Sequence, residues 1–347
     1  MVEAEASGSG KRETAELAVE LAHAEKRRRQ NALSELPEWL KVQEACSESA
    51  CERVWQGGFY CLWHADSHSS QSQAVQSLAS CALAPSKPSV ALTYIGVGFS
   101  TLRREWPRID RARLDKFLSL ARFLLRSLIK LCARSHWSHK RVASACRLLS
   151  KRVLLCNDKG YALGLATHIT DICSEELATV AKLSSSSLHP DSELSAPAID
   201  HFVYLFTRVL SASHDARLRT RVKHEFFQTL LDYRWSGAES EGDPPAGPMR
   251  QLELGEIASL LTDIGGDRDV HAPNRRDLYE VSRLFSKAME RVSIVRGGEY
   301  KHTDNAGRIV TQLSEPRYEL PHNVQTNKVW HLIGWLIDNA PIFLALL

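Results

Sequence analysis

The 347-residue sequence predicts an all-α protein built as a stack of paired helices, and three observations carry that reading. Apolar residues recur at helical spacing along most of the chain, and few stretches alternate as strands do. The helix pairs lie about 40 residues apart, a rhythm that fits a HEAT-like helical-repeat solenoid. Hydrophobic residues make up 44% of the composition, enough for a continuous core and too much for a disordered chain. The expected organisation is a disordered N-terminus over residues 1–12, a helical solenoid domain over 13–295 and an irregular C-terminal segment over 296–347.

Each element has its own justification. Glu13 to Leu40 begins as a helix through Leu17, Leu21 and Ala24, and Pro37 is expected to open a second helix with Trp39 and Leu40. Trp55, Phe59 and Leu62 sit at i, i+4 and i+7, which places one aromatic helical face in Val54 to Trp63. Gly57 and Gly58 weaken that helix and let another backbone approach it. Pro85 to Pro88 marks a loop before a helix over Val90 to Arg104. The clearest helix is Arg111 to Arg134. Leu114, Phe117, Leu118, Ala121, Leu124, Leu125, Leu128 and Cys132 form its wide apolar face, with Asp110 as N-cap and Asp115 in the first turns. Further helices are expected over Lys140 to Leu155, Tyr161 to Lys182, Ile199 to Ser211, Arg217 to Tyr233, Leu252 to Asp263 and Asp277 to Val292. Beyond about Gly297 the pattern gives way to turns.

The net charge of +3 hides an asymmetry: Thr101 to Arg152 carries +12, and the remainder carries −9. So polarised a block points to an anionic partner for one region. Within it Arg122, Arg126, Lys130 and Arg134 recur every four residues, in a row expected opposite the apolar face and open to solvent. Arginine grips phosphate through a planar fork of donors, so the row is a candidate RNA face. The competing reading pairs it with acids from a neighbouring helix. Lys26 to Arg29 reads either as a nuclear import signal or as a solvated helix face.

Eight cysteines lie singly in apolar patterns, as expected of buried thiols in a reducing compartment. Met1 to Lys11 has no apolar core of a signal peptide, and Val329 to Leu347 is broken by His331, Asp338, Asn339 and Pro341. The expectation is a soluble intracellular protein with no membrane partner. Of Cys51, Cys61, His64 and His68 only the two histidines have a zinc-knuckle spacing, and His136 and His139 have no further ligand nearby. Gly96-Val97-Gly98 is too short for a dinucleotide fingerprint, and Gly265-Gly266 reads as a helix end. No catalytic, cofactor or metal residue is therefore assigned.

Two long stretches resemble a known family. Val54-Trp55-Gln56-Gly57-Gly58-Phe59-Tyr60-Cys61-Leu62-Trp63 is similar to a signature of the nucleolar ribosomal RNA-processing protein 1 family, with Gly58 in place of the family's usual Leu and Gln56 in place of Lys. Glu105-Trp106 and then Ile109-Asp110-Arg111-Ala112-Arg113-Leu114-Asp115-Lys116 resemble a second. Weaker likenesses run from Gly160 to Leu177, including His168, and from Ile199 to Leu231, followed by Asn274 to Tyr279. Residue by residue, Trp55, Phe59, Tyr60, Trp63, Trp106, Asp110, Arg113, Leu114, Asp115 and Lys116 carry the motifs and read as structural, with Leu114 in the core. The resemblance implies an all-helical solenoid in the nucleolus. It implies a non-catalytic assembly factor within the large-subunit precursor particle, working beside WD-repeat and Brix-domain factors, with direct ribosomal RNA contact an open matter. A generic solenoid adaptor for proteins and, less favoured, an RNA-processing enzyme are the alternatives.

Overall fold

A computed structural model describes residues 14–156, 162–185, 194–238 and 245–296, with two short strands beyond them. The expectations for residues 1–12, for the apolar tail after Val329 and for most of 296–347 fall outside the described residues. The helices are α1 (14–21), α2 (Lys26–Lys41), α3 (Glu48–Trp63), α4 (His68–Ser80), α5 (Pro88–Glu105), α6 (Leu114–Arg134) and α7 (His139–Leu149). They continue as α8 (Leu163–Ser185), α9 (Ala196–Ala212), α10 (Ala216–Arg221), α11 (Thr229–Trp235), α12 (Leu254–Gly266) and α13 (Ala272–Arg296). A π-helical turn, Ser150–Leu154, prolongs α7, and a longer one, Val222–Gln228, joins α10 to α11. Lys301–Thr303 (β1) pairs antiparallel with Ile309–Thr311 (β2), where the sequence suggested turns alone.

From α2 to α8 each helix packs on the one two places along. The α2, α4, α6 and α8 helices and the α10–α11 unit form one layer, and α3, α5, α7 and α9 form the other, closed by α13 beside α9 with α12 against it. This is the all-α helical-repeat fold that the paired rhythm predicts. A continuous core runs between the layers, from Leu21 and Leu36 through Phe99, Phe117 and Phe206 to Phe285. Polar pins cross within it. The Ser127 hydroxyl on α6 donates to the Ala79 carbonyl in the last turn of α4 at 2.9 Å, and Ser174 on α8 donates to the Phe226 carbonyl at 3.2 Å.

Several boundaries differ from the sequence reading. The first helix breaks at residues 22–25, and Pro37 lies inside α2 rather than opening a helix. Proline forfeits the bond to the Leu33 carbonyl, and burial of Leu33, Leu36 and Leu40 offsets that loss. The Ser- and Gln-rich stretch after Trp63 folds as α4, which the sequence reading left unassigned. Ser67 caps it, and only Ala74, Val75, Leu78 and Ala79 face inward. Asp110 caps the turn ahead of α6, accepting from the Arg113 N–H at 3.0 Å, so the helix starts at Leu114. At Gly57 the close backbone approach expected is present: a Cβ there would lie 2.4 Å from the Ala18 carbonyl oxygen of α1.

Candidate functional site

The first motif supplies an aromatic joint. Trp55 on α3 is 1% exposed; its indole N–H donates to the Tyr94 carbonyl of α5 at 2.8 Å. Gly98 makes room for it, since a Cβ there would stand 2.6 Å from the indole ring. The glycines of Gly96-Val97-Gly98 thus serve helix packing inside α5. Phe59 stacks on Phe117 of α6 with centroids 4.8 Å apart, and half-buried Trp63 carries the Arg113 guanidinium 4.6 Å above its ring. Tyr60 departs from the structural reading: it is 41% exposed and lies parallel to His64.

The second motif closes the same joint from the other side. Lys116 is buried and donates to the Trp63 carbonyl at 2.7 Å and the Ala65 carbonyl at 3.0 Å. A cation thus sits on the C-terminal carbonyls of α3, where the helix dipole favours it. Burial and the nearby Arg113 pull its ammonium below the usual lysine range. Asp115 stays exposed, and Leu114 is half-buried, a correction to its expected core position. Trp106 packs on the start of α8, where a Cβ at Gly164 would lie 2.7 Å from the indole nitrogen. The two motifs, distant in sequence, form one clamp between α3 and α6.

The weaker stretches are also joints. His168 Nε2 donates to the Leu118 carbonyl at 3.0 Å, and burial lowers its pKa. The Asn274 amide donates to the Leu210, Ser211 and Ser213 carbonyls, capping the end of α9. Asp277 accepts from Arg219 at 2.8 Å and Lys223 at 3.0 Å.

The basic row is not the open face expected. Arg126 holds both carboxylate oxygens of Glu176 on α8, at 2.6 and 2.8 Å, and Arg122 bonds Glu175 at 2.8 Å and Glu176 at 2.9 Å. The Glu176 side chain is wholly buried, and the two arginines are 28–29% exposed. Residues four apart advance about 40° around a helix, so the row crosses α6 obliquely. It begins in the α8 groove and ends with Arg134, whose guanidinium donates to the Leu83 carbonyl beyond α4 at 2.7 Å. Lys130 lies between, half-buried. The signal missed in the sequence was Glu176 itself, in register with Ile169, Ile172, Cys173 and Val180 on the inward face of α8. An acid at an apolar-face position calls for a cation from a neighbour.

Lys26 to Arg29 is divided as well. Arg28 pairs with Glu20, and Arg29 is 8% exposed, donating to the carbonyls of His23, Ala24 and His64. Cys51 and Cys61 are buried in α3, His64 caps its end, and His68 opens α4. Among the described residues no group of three or more His, Cys, Asp or Glu is placed to hold a metal ion. Among them, too, no helix is long and apolar enough to cross a membrane.

Comparison with known proteins agrees with the motifs. Residues 12–262 match the family model of the nucleolar protein Nop52. The chain is 27% identical over 222 residues to ribosomal RNA processing protein 1 homolog B of Homo sapiens, covering 62% of this chain and 28% of that one. It is 26% identical over 222 residues to homolog A of Mus musculus, covering 62% and 43%. The Caenorhabditis elegans homolog is 25% identical over 280 residues, covering 78% and 67%. The matches to the human and mouse proteins thus span less than half of their length. With the family model covering most of the chain, and the motif residues forming the joints between its helices, this protein belongs to the nucleolar Nop52 family.

Proposed function

We propose that the protein acts in ribosomal RNA processing as a non-catalytic, HEAT-like scaffold of the large-subunit precursor particle in the nucleolus. Membership of the Nop52 family carries the reading, with relatives bearing the name ribosomal RNA processing protein 1 homolog. The geometry supports it. Trp55, Phe59, Lys116, Asn274 and Asp277 are spent on inter-helix joints, so the motifs act by setting the shape of the stack. A rigid stack offers long faces to several partners at once, and WD-repeat and Brix-domain assembly factors are the partners we assign to it. Depleting the protein and following precursor RNA by hybridisation tests this directly. Accumulated large-subunit precursors, rescued by the wild-type chain and co-sedimenting with it, are expected. Normal processing after depletion, or metal-dependent RNA cleavage by the purified chain, would overturn the scaffold reading.

A further inference from the structure

Arg122 and Arg126 spend their charge inside the stack, but the same stretch of chain carries more. From Lys116 to Cys156 the sequence holds ten Lys and Arg and no Asp or Glu. Every carboxylate that neutralises this stretch must therefore come from another part of the chain. Glu175 and Glu176 serve Arg122 and Arg126, and Glu48 serves Arg152. Lys130, Arg134, Lys140, Arg141 and Lys151 have no carboxylate partner among the described residues. The bond from Arg134 to the Leu83 carbonyl fixes its position and leaves its charge uncompensated. On α9, beside the start of α7, Asp200 is influenced by Glu253 and Glu256 rather than by these cations.

The corner between α6 and α7 is held in an unusual form. His136 and Trp137 have φ of 50° and 54°, a left-handed region that L side chains enter only when their surroundings force them. Trp137 is buried, and its N–H bonds the Cys132 carbonyl at 2.9 Å, as His136 N–H bonds Ala133. The exposed His136 imidazole is thus presented on a fixed corner between Arg134 and Lys140. Lys140 on α7 and Lys151 on the π-helical turn that prolongs it are eleven residues apart, about three turns, and both are exposed.

We propose that this corner and the outer face of α7 (the exposed Arg134, His136, Lys140 and Lys151, flanked by the half-buried Lys130 and Arg141) dock the phosphate backbone of RNA, a reading that rests on the role in ribosomal RNA processing above. The chemistry favours RNA over a protein partner. Protein interfaces are anchored by buried aromatic and apolar side chains. The exposed large apolar side chains of the described residues are Val19, Val42, Tyr60 and Leu183, none of them at this corner. A phosphate backbone needs only charge at suitable spacing, which is what the corner presents.

The test is fluorescence anisotropy with the full chain and a short single-stranded RNA across a salt series. Lys140→Glu/Arg141→Glu/Lys151→Glu should bind at least about ten-fold more weakly than wild type, and its log–log salt slope should fall by about two, from roughly 0.7 per lost phosphate contact. Lys140→Gln/Lys151→Gln, which adds no repulsion, serves if the triple variant does not fold, and should lose about 1.4 units of slope on the same basis. Wild-type affinity and slope in a folded variant would overturn the proposal. So would a wild-type chain that binds poly-glutamate as tightly as RNA. Precursor co-sedimentation of the wild-type chain reports on the scaffold reading separately, so either can fail alone.

Discussion

Two joints between neighbouring helices are made of opposite materials. Between α3 and α5, Trp55 fits over Gly98 with a single hydrogen bond to Tyr94. Between α6 and α8, the buried Glu176 carboxylate is held by Arg122 and Arg126. The difference teaches how a stacked fold uses a helix. In an isolated amphipathic helix, everything off the apolar stripe meets water. In a two-layer stack each helix also has two flanks against its layer neighbours, and a polar side chain there is an internal residue.

The comparison breaks most sharply at Trp55. Trp55→Ala removes the largest buried side chain of the joint and its indole bond to the Tyr94 carbonyl, so a loss of about 3–5 kcal/mol is expected. A thermal melt reads it, and an unchanged midpoint would mean that the joint is not where the stability lies. Glu176→Ala should cost less, about 2–3 kcal/mol, from its charge-assisted bonds. Its two arginines keep partial access to water and can turn outward, whereas the vacated Trp55 site cannot be refilled. If Glu176→Ala melts below Trp55→Ala, the ionic joint is the stronger of the two.

Legibility followed the same division. The α5, α6 and α8 helices were readable because long apolar side chains repeat at helical spacing, and Trp55 stood out because its neighbours Phe59 and Leu62 share its face. The α4 helix was not, because its inward face is mostly alanine and short side chains, with serine and glutamine around it. The break at residues 22–25 was hidden by polar residues that suit a helix as well as a turn. Among the candidate site residues, apolar members such as Trp55 and Phe59 declared their burial through composition. The charged ones did not: Lys116 and Arg126 are buried or half-buried by carbonyls and a carboxylate more than forty residues away in sequence. Local spacing carries no information about so distant a partner.

Asp200 and His201 sharpen the comparison by showing buried ionisable groups without a counter-ion. Burial, with Glu256 and Glu253 adding to it, pushes the Asp200 carboxyl up to about 7. Burial, then the His139 ring 4.3 Å away, pushes His201 down to about 3. The signs oppose. Between about pH 4 and 7 folded Asp200 keeps a proton that the unfolded chain gives up, so its contribution falls as pH rises. Between about pH 3 and 6.5 the unfolded chain takes a proton that folded His201 refuses, so that contribution rises. Asp200→Asn should therefore unmask the histidine, adding a rise on the order of 1 kcal/mol per pH unit relative to wild type between pH 4 and 6.5. Parallel wild-type and mutant profiles in urea melts would show Asp200 to be ionised within the fold.

The smallest effect is expected where the charge is unspent. Lys140 and Lys151 touch no carboxylate among the described residues and stand on the exposed face of α7. Reversing either should move stability by less than about 0.5 kcal/mol, the usual range for a surface site without partners. Arg126→Glu is the informative contrast. It sets a second carboxylate against buried Glu176 and removes half of its counter-charge, a disruption of the class that costs about 3–5 kcal/mol when fully buried and less where water reaches. All three cations fall in the same basic block and look alike in the sequence, so melts of Lys140→Glu, Lys151→Glu and Arg126→Glu separate charge that builds the stack from charge left for a partner. Equal melts for all three would erase the distinction between the α6–α8 flank and the α7 face. A steep loss at Lys140 or Lys151 would mean that α7, too, is a flank against acids in the chain.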